Sequence, residues 1–83
     1  MRRITAGKML PAALNQVNTV LTRGGEKHGD AWKTRDDIDD VLPALMHIRE
    51  YINGDRMTDY GVSPLAHAVA RLMMIIERGG GAR

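Results

Sequence analysis

The sequence predicts an all-α domain, and three observations support that prediction. Apolar residues recur at helical spacing in three separate segments. Proline and glycine stand where such segments would begin and end. No segment alternates apolar and polar residues over a length typical of a strand. We therefore expect the 83 residues to form one domain, 1–83, a compact bundle of three main helices with a flexible tail at 79–83.

The first segment, PAALNQVNTVLTR, predicts a helix over residues 11–23. Its apolar residues at helical spacing are Leu10, Leu14, Val17 and Leu21. Pro11 suits the first turn, where its missing N–H costs no hydrogen bond. Gly24 and Gly25 are expected to end the helix, because glycine readily takes the left-handed conformation of a helix C-terminus.

The second segment runs from TRDDIDD to YING, where Gly54 ends it. Its apolar stripe consists of Ile38, Val41, Leu42, Leu45, Ile48 and Ile52. Pro43 inside this segment indicates either a kink or a short turn over residues 36–40 before the main helix. We expect the apolar stripe to face the core.

The third segment, SPLAHAVARLMMIIER, has clear signals for the start of a helix. Ser63 is a good N-cap, and Pro64 is a good first helical residue. The apolar stripe of this helix, also expected to face the core, consists of Leu65, Val69, Leu72, Met73 and Ile76.

The composition excludes several classes of protein. Twelve basic and ten acidic residues give a net charge of +2, which is too balanced for a protein that binds duplex nucleic acid. The chain has no cysteine, so disulfides and thiolate metal sites are excluded. No apolar run approaches the roughly 20 residues that cross a bilayer, so no membrane partner is expected. A chain this short and without Phe builds a small core, which predicts a homo-oligomer.

Two histidines lie off the apolar stripes. On a helical wheel, His47 is about 150° from the centre of the second stripe, and Tyr51 lies near it. His67 is similarly opposite the third stripe, beside Arg71. One interpretation is that these side chains face solvent. The other is that both helices have a second face, suited to an interface or to a planar anionic ligand.

Acidic residues offer two places for a divalent cation. Residues three apart share a side of a helix, so the segment DDIDD could hold Mg²⁺ through carboxylates. These residues equally suit a helix start, where acidic groups interact well with the helix dipole. A second acidic pair follows the second helix. The candidate Mg²⁺ ligands are therefore Asp55 and Asp59, or alternatively Asp36, Asp37, Asp39 and Asp40.

The ordered blocks AGK, LPAAL, GGEKHGDAW, ALMHIREYINGD and GVSPLAHA resemble a phage family, the dATP/dGTP diphosphohydrolase N-terminal domain. The family is similar to the all-α NTP pyrophosphohydrolases. The resemblance covers residues 6–76 and places Lys27, Trp32, His47 and His67 on motif positions. The sequence departs from the family pattern at Met46, where the family has the Arg of R-H-L, and at Pro64, where it has a His.

The resemblance implies a nucleotide-binding protein in the cytoplasm of an infected bacterium, with Mg²⁺-dependent hydrolysis of a deoxynucleoside triphosphate. In the loop GGEKHGDAW, Lys27 would supply charge to a phosphate and Trp32 would stack on the base, or Trp32 closes the end of the core. No catalytic residue is assigned. The residues expected to bind a purine nucleotide are Lys27, His28, Trp32, His47, Tyr51, His67 and Arg71.

Two other functions fit the sequence. The departures from the family pattern favour a non-enzymatic sponge that sequesters a nucleotide immune signal. The third possibility is a structural helical module that binds another protein.

Overall fold

The computed structural model describes residues 6–79, and the fold over this range is all-α with three main helices, as predicted. The elements are α1 (Ala6–Met9), α2 (Pro11–His28), a 3₁₀ turn (Ala31–Thr34), α3 (Ile38–Ile52) and α4 (Pro64–Glu77). Apart from Gly79, the predicted flexible tail lies outside the described residues. Over residues 6–79, no helix combines the length and the apolar character needed to cross a bilayer.

Helix α2 is longer than the sequence predicted. The expected end at Gly24 and Gly25 is wrong, because the helix continues to His28. Gly29 ends it instead, with φ 57° and an N–H that donates to the Gly25 carbonyl at 2.9 Å. Glycine inside a helix costs only about 1 kcal/mol relative to alanine, which neighbouring turns can offset. Most of the segment GGEKHGDAW is therefore helix rather than loop.

Helices α3 and α4 begin and end close to the predicted residues. Pro43 lies inside α3. A turn closed by a hydrogen bond from the Asp39 N–H to the Asp36 carbonyl, at 3.0 Å, leads into the helix. Gly54, with φ 107°, follows the end of α3. Ser63 caps α4 as predicted, since its Oγ accepts the Leu65 N–H at 3.1 Å. The Ser63 N–H donates to Gln16 Oε1 at 2.9 Å, which ties the start of α4 to α2.

The apolar core lies between α2 and α4 and is small. Val17 of α2 packs there with Val62, Ala66 and Ala70. Among residues 6–79, every buried hydrophobic side chain belongs to alanine or valine. Leu21 and Tyr60 border this cluster and are only partly buried. The larger apolar residues of the chain therefore contribute little to burial within one copy.

The prediction that the apolar stripes of α3 and α4 face the core is wrong. Val41 and Ile48 are half-buried, but most of the two stripes is exposed: Ile38, Leu42, Leu45, Ile52, Leu65, Val69, Leu72, Met73 and Ile76.

The polar faces of the two helices meet instead. Asp40 of α3 bonds Arg71 of α4, and the rings of His47 and His67 lie together, so the helices run antiparallel. Ala44, between these polar pairs, is buried. A small side chain there allows close approach, and the polar groups satisfy one another across the contact. This is the physical reason for the inverted arrangement.

Candidate functional site

A cavity of about 480 Å³ lies between the end of α2, the 3₁₀ turn and the second half of α4. We call it the Trp32 cavity. Its size is typical of small-molecule sites, and its lining is mainly apolar with a few polar groups. The lining residues are Leu21, Gly24, Gly25, His28, Gly29, Trp32, Arg35, Arg71, Met73, Met74 and Glu77.

The local sequence explains why this cavity is open. A Cβ added at Gly24 or Gly25 would meet nothing within 4 Å, so the two glycines leave space beside α2. The 3₁₀ turn carries Trp32 to the opposite side of that space. Arg78, just after α4, donates from Nη1 to the Trp32 carbonyl at 2.8 Å and holds the turn in place.

A buried carboxylate organises the arginines next to the cavity. Asp40 is fully buried, and its Oδ1 lies 2.9 Å from both Arg35 Nη2 and Arg71 Nη1. Its Oδ2 lies 2.7 Å from Arg78 Nη1. Arg78 also bonds Asp37 at 3.0 Å. We call these residues the Asp40 cluster.

The cluster fixes charge at one wall of the Trp32 cavity. Burial opposes ionisation of Asp40, but the guanidinium groups of Arg71, Arg78 and Arg35 outweigh it and hold the pKa of the carboxyl below its ordinary value. Arg35 and Arg71 both line the cavity. The buried Arg35 Nε–H has no acceptor among the described residues. Two oriented guanidinium groups are therefore available beside an apolar space, an arrangement that suits an anionic ligand with an apolar part.

A second cavity, also of about 480 Å³, lies at the start of α4. We call it the histidine cavity. It is polar and carries three carboxylates. Its lining residues are His47, Glu50, Asp55, Met57, Thr58, Asp59, Tyr60, Pro64 and His67.

The two histidines of this cavity are held by neighbouring side chains. Their ring centroids are 4.7 Å apart. His47 Nδ1 lies 2.7 Å from Glu50 Oε1, and His67 Nε2 lies 2.8 Å from Thr58 Oγ1. Burial first, and then the nearby His47, lower the pKa of His67, which favours its neutral form. A neutral imidazole donates a hydrogen bond from one ring nitrogen and accepts one at the other, so His67 is suited to binding a polar ligand group.

Tyr60 connects this cavity to α2. Its ring centroid is 5.1 Å from that of His67. Two cations from α2 stand over the same ring, Arg23 at 5.3 Å and Lys27 at 5.7 Å. Positive charge from α2 is therefore present near the histidine cavity.

The residues expected to bind a nucleotide are divided between these places. His28, Trp32 and Arg71 line the Trp32 cavity, whereas His47 and His67 line the histidine cavity. Lys27 lies over Tyr60, which borders the histidine cavity. Tyr51 lines neither cavity described here, and its ring is 4.2 Å from the Arg56 guanidinium. The structure therefore brings together two subsets of the expected residues rather than all seven.

Sequence reasoning missed Arg35 and Tyr60. Arg35 follows Trp32 by three residues and directly precedes the acidic residues 36–40, and this proximity was the sequence signal for an ion pair. Tyr60 carries no local sequence signal, because its importance depends on where the loop after α3 meets α2.

Neither of the two predicted sets of acidic residues forms a complete metal site by itself. Within residues 6–79, no three His, Asp or Glu side chains are placed to hold a metal ion together. Asp55 and Asp59 do share the histidine cavity. In the alternative segment, Asp40 and Asp37 are engaged by arginines, while Asp36 and Asp39 are exposed. The loop pair is therefore the one of the two predicted sets whose carboxylates share a cavity and, among the described residues, are not engaged by arginines.

Comparison with protein families gives a match that spans almost the whole chain. The sequence model for "dATP/dGTP diphosphohydrolase, N-terminal" matches residues 2–79. Comparison with curated proteins and with solved structures gave no match.

Proposed function

Because the chain belongs to the dATP/dGTP diphosphohydrolase N-terminal family, we propose that it binds a purine deoxynucleoside triphosphate, with the base in the Trp32 cavity. The family name supplies the ligand class. The observation that carries the placement is an apolar cavity of about 480 Å³ that combines an aromatic side chain with two guanidinium groups. The indole of Trp32 provides a face on which a base can stack.

The phosphates are proposed to run from the Trp32 cavity toward the histidine cavity. Arg71 lines the first cavity and His67 lines the second, one helical turn away on α4. Four residues of α-helix span about 6 Å, a distance that a chain of phosphates can bridge. Arg71 would bind a phosphate oxygen, and the imidazole of His67 would contact the next group.

For hydrolysis, we propose Mg²⁺ at Asp55 and Asp59. Mg²⁺ is commonly bound by one or two carboxylates together with substrate phosphates, so two carboxylates in one cavity fit this requirement. The bound ion would polarise the phosphoryl group under attack. Arg71 would orient the phosphates, and Trp32 would exclude water from the base.

Sequestration without turnover is the second candidate. It is favoured by one observation: Glu77 is the only carboxylate among the residues that line the Trp32 cavity. A ligand held entirely in this cavity would contact two guanidinium groups and one carboxylate, and it would lie outside the cavity that Asp55 and Asp59 line. Such a protein would bind a nucleotide and leave it intact.

Trp32 provides a direct test of binding, because it is the only tryptophan of the chain. Titration with dATP or dGTP is expected to change its fluorescence, whereas inorganic phosphate alone should leave it unchanged. In calorimetric titrations, Trp32→Leu is expected to weaken binding by roughly 5- to 150-fold, since base stacking on an aromatic side chain contributes about 1–3 kcal/mol. Equal affinity of the variant and the unmodified protein would contradict the placement.

Tyr51→Leu is the matched control, because Tyr51 is an aromatic residue outside both cavities. Its nucleotide affinity is expected to be unchanged. A loss of affinity in Tyr51→Leu, with none in Trp32→Leu, would indicate that the base binds at α3 instead.

Incubation with Mg²⁺ and dATP or dGTP distinguishes hydrolysis from sequestration. Release of diphosphate or phosphate that is abolished in Asp55→Asn and Asp59→Asn, with binding retained, is expected for the enzyme. Tight binding with full recovery of the intact nucleotide is expected for the sequestering protein.

A further inference from the structure

We propose that the outward side of α3 is the contact between two copies of this chain, paired antiparallel about a two-fold axis. The contact surface consists of Ile38, Leu42, Leu45, Met46 and Ile52, which we call the α3 outer stripe. The proposal does not depend on the ligand or on the proposed activity.

The α3 outer stripe faces away from the rest of the copy. On the helical wheel, its centre is about 150° from the side that carries Asp40, Ala44 and His47 and packs on α4. Each of its five side chains is more than half exposed, from 52 % at Met46 to 74 % at Ile52. Scattered apolar residues on a surface need no explanation, but a continuous stripe along a whole helix indicates an interface.

The spacing of the stripe matches that of helices that pair with helices. Positions 38, 42, 45, 49 and 52 alternate steps of four and three residues, the pattern of a coiled-coil seam. Arg49 occupies one seam position and is exposed. A single charged residue in such a seam fixes register and orientation, at some cost in stability.

The charges of α3 select an antiparallel second copy. Acidic residues lie at its N-terminal end, where Asp36 and Asp39 are exposed, and Arg49 lies toward its C-terminal end. Among the described residues, neither Asp39 nor Arg49 has a side-chain ion pair within the copy. A parallel pair would place Arg49 beside the partner's Arg49, a like charge, whereas an antiparallel pair places it toward the acidic end of the partner's helix.

The available area is sufficient for a small stable dimer. The exposed fractions of the five side chains from two copies correspond to roughly 1,200 Å² of accessible surface, which is the lower end of the range for specific interfaces. Flanking residues of α3 would add to this area. Helix α4 has an exposed stripe as well, but no acidic residue in its first turn and no basic residue in its last. We therefore assign the contact to α3.

The test is the mass in solution of the whole chain and of two matched variants. We expect twice 9.2 kDa for the unmodified protein in light scattering at micromolar concentration. Leu45→Glu is expected to give folded monomer, and Leu72→Glu, the same change on the exposed stripe of α4, is expected to stay dimeric. A monomeric unmodified protein, or dissociation of Leu72→Glu but not Leu45→Glu, would overturn the assignment.

If Leu45→Glu does not fold, the unmodified protein still provides a test, because the Tm of a folded dimer rises with protein concentration. A Tm that is independent of concentration would overturn the proposal. Charge exchange tests the orientation. Arg49→Asp and Asp39→Arg are each expected to weaken the dimer about tenfold, and the double variant should recover most of the loss. Losses that simply add would exclude the antiparallel register.

Discussion

Helix α4 is held by two contacts of different chemistry, one with α3 and one with α2. The first contains a fully buried carboxylate, three arginines and a pair of histidine rings. The second is a small cluster of alanine and valine side chains. One contact depends on a few directional interactions, while the other depends on apolar area. The two should therefore respond differently to substitution and to pH.

The strongest perturbation of the polar contact is Asp40→Ala. Removal of one member of a buried ion pair typically costs about 3–5 kcal/mol, because the remaining charge stays buried without compensation. Three guanidinium groups would lose their shared acceptor here. We expect a loss of this size in the free energy of unfolding by urea denaturation, which is a large fraction of the roughly 5–15 kcal/mol that is typical of a folded domain.

Asp36→Ala is the control, since Asp36 is exposed on the same turn, and its effect should stay within about 0.5 kcal/mol. If Asp40→Ala unfolds no more readily than Asp36→Ala, the cluster contributes nothing to stability.

Val17→Ala tests the apolar contact. Val17 is buried at 6 % exposure, so the loss of two methyl groups is expected to cost about 2 kcal/mol, including the cavity left behind. Val69→Ala, the same change at an exposed position of α4, should cost much less. Chemical denaturation of the two variants gives the comparison. An equal loss in both would mean that the α2–α4 cluster is not the apolar core of the fold.

Gly25→Ala tests where α2, the partner of α4 in the apolar contact, ends. A Cβ at this position meets nothing within 4 Å, and the residue is helical, so we expect a gain of about 0.5–1 kcal/mol. Gly29→Ala should do the opposite and lose about 1 kcal/mol, because Gly29 has φ 57°. Opposite shifts in Tm would confirm that the helix ends at Gly29. A loss in Gly25→Ala would instead place the end of the helix at Gly25.

Acidification is the mildest perturbation, since it leaves every atom except protons in place. The pKa of His67 is lower in the fold than in the unfolded chain, mainly through burial, so the unfolded chain binds its proton first. The stability linked to His67 is thus complete above its ordinary pKa of about 6.5 and is lost as the pH falls toward the lowered value. Amide hydrogen exchange should show faster opening of α3 against α4 over this window, with α2 less affected.

His67→Gln should remove that part of the pH dependence while keeping a polar side chain of similar size. A pH profile of unfolding that is the same in the variant and the unmodified protein would contradict the role of His67. At lower pH a second loss is expected, as the pH falls through the depressed pKa of Asp40.

The sequence predicted the helices better than it predicted their faces. Ser63 and Pro64 marked the start of α4 correctly, because capping depends on neighbouring residues. The end of α2 was misplaced, because Gly24, Gly25 and Gly29 can each end a helix, and of these three only Gly29 takes a positive φ. The faces of α3 and α4 were inverted because the largest apolar side chains were expected in the core of a single copy, whereas the structure leaves most of them exposed.

The candidate site was predicted in its components and not in its arrangement. Trp32, His28 and Arg71 do line one cavity, although they come from three different elements. Asp40 was considered as a metal ligand, and only the fold reveals that Arg35, Arg71 and Arg78 surround it. Arg71 and Arg78 are distant from Asp40 in sequence, so no local pattern indicates that they converge with Arg35 on its carboxylate.

This convergence also determines the order in which the chain can complete its fold during synthesis. Arg78 contacts Trp32 and Asp37 across 46 and 41 residues, and Arg71 contacts Asp40 across 31. A nascent chain grows from its N-terminus, so α3 leaves the ribosome well before Arg71 and Arg78, two of the three arginines that neutralise its buried carboxylate. Until residue 78 emerges, the Asp40 carboxylate is more stable in water than in the interior, because its set of arginine partners is incomplete. The contact between α3 and α4 therefore closes late, and the growing chain exposes its polar inner face as well as its apolar outer one until then.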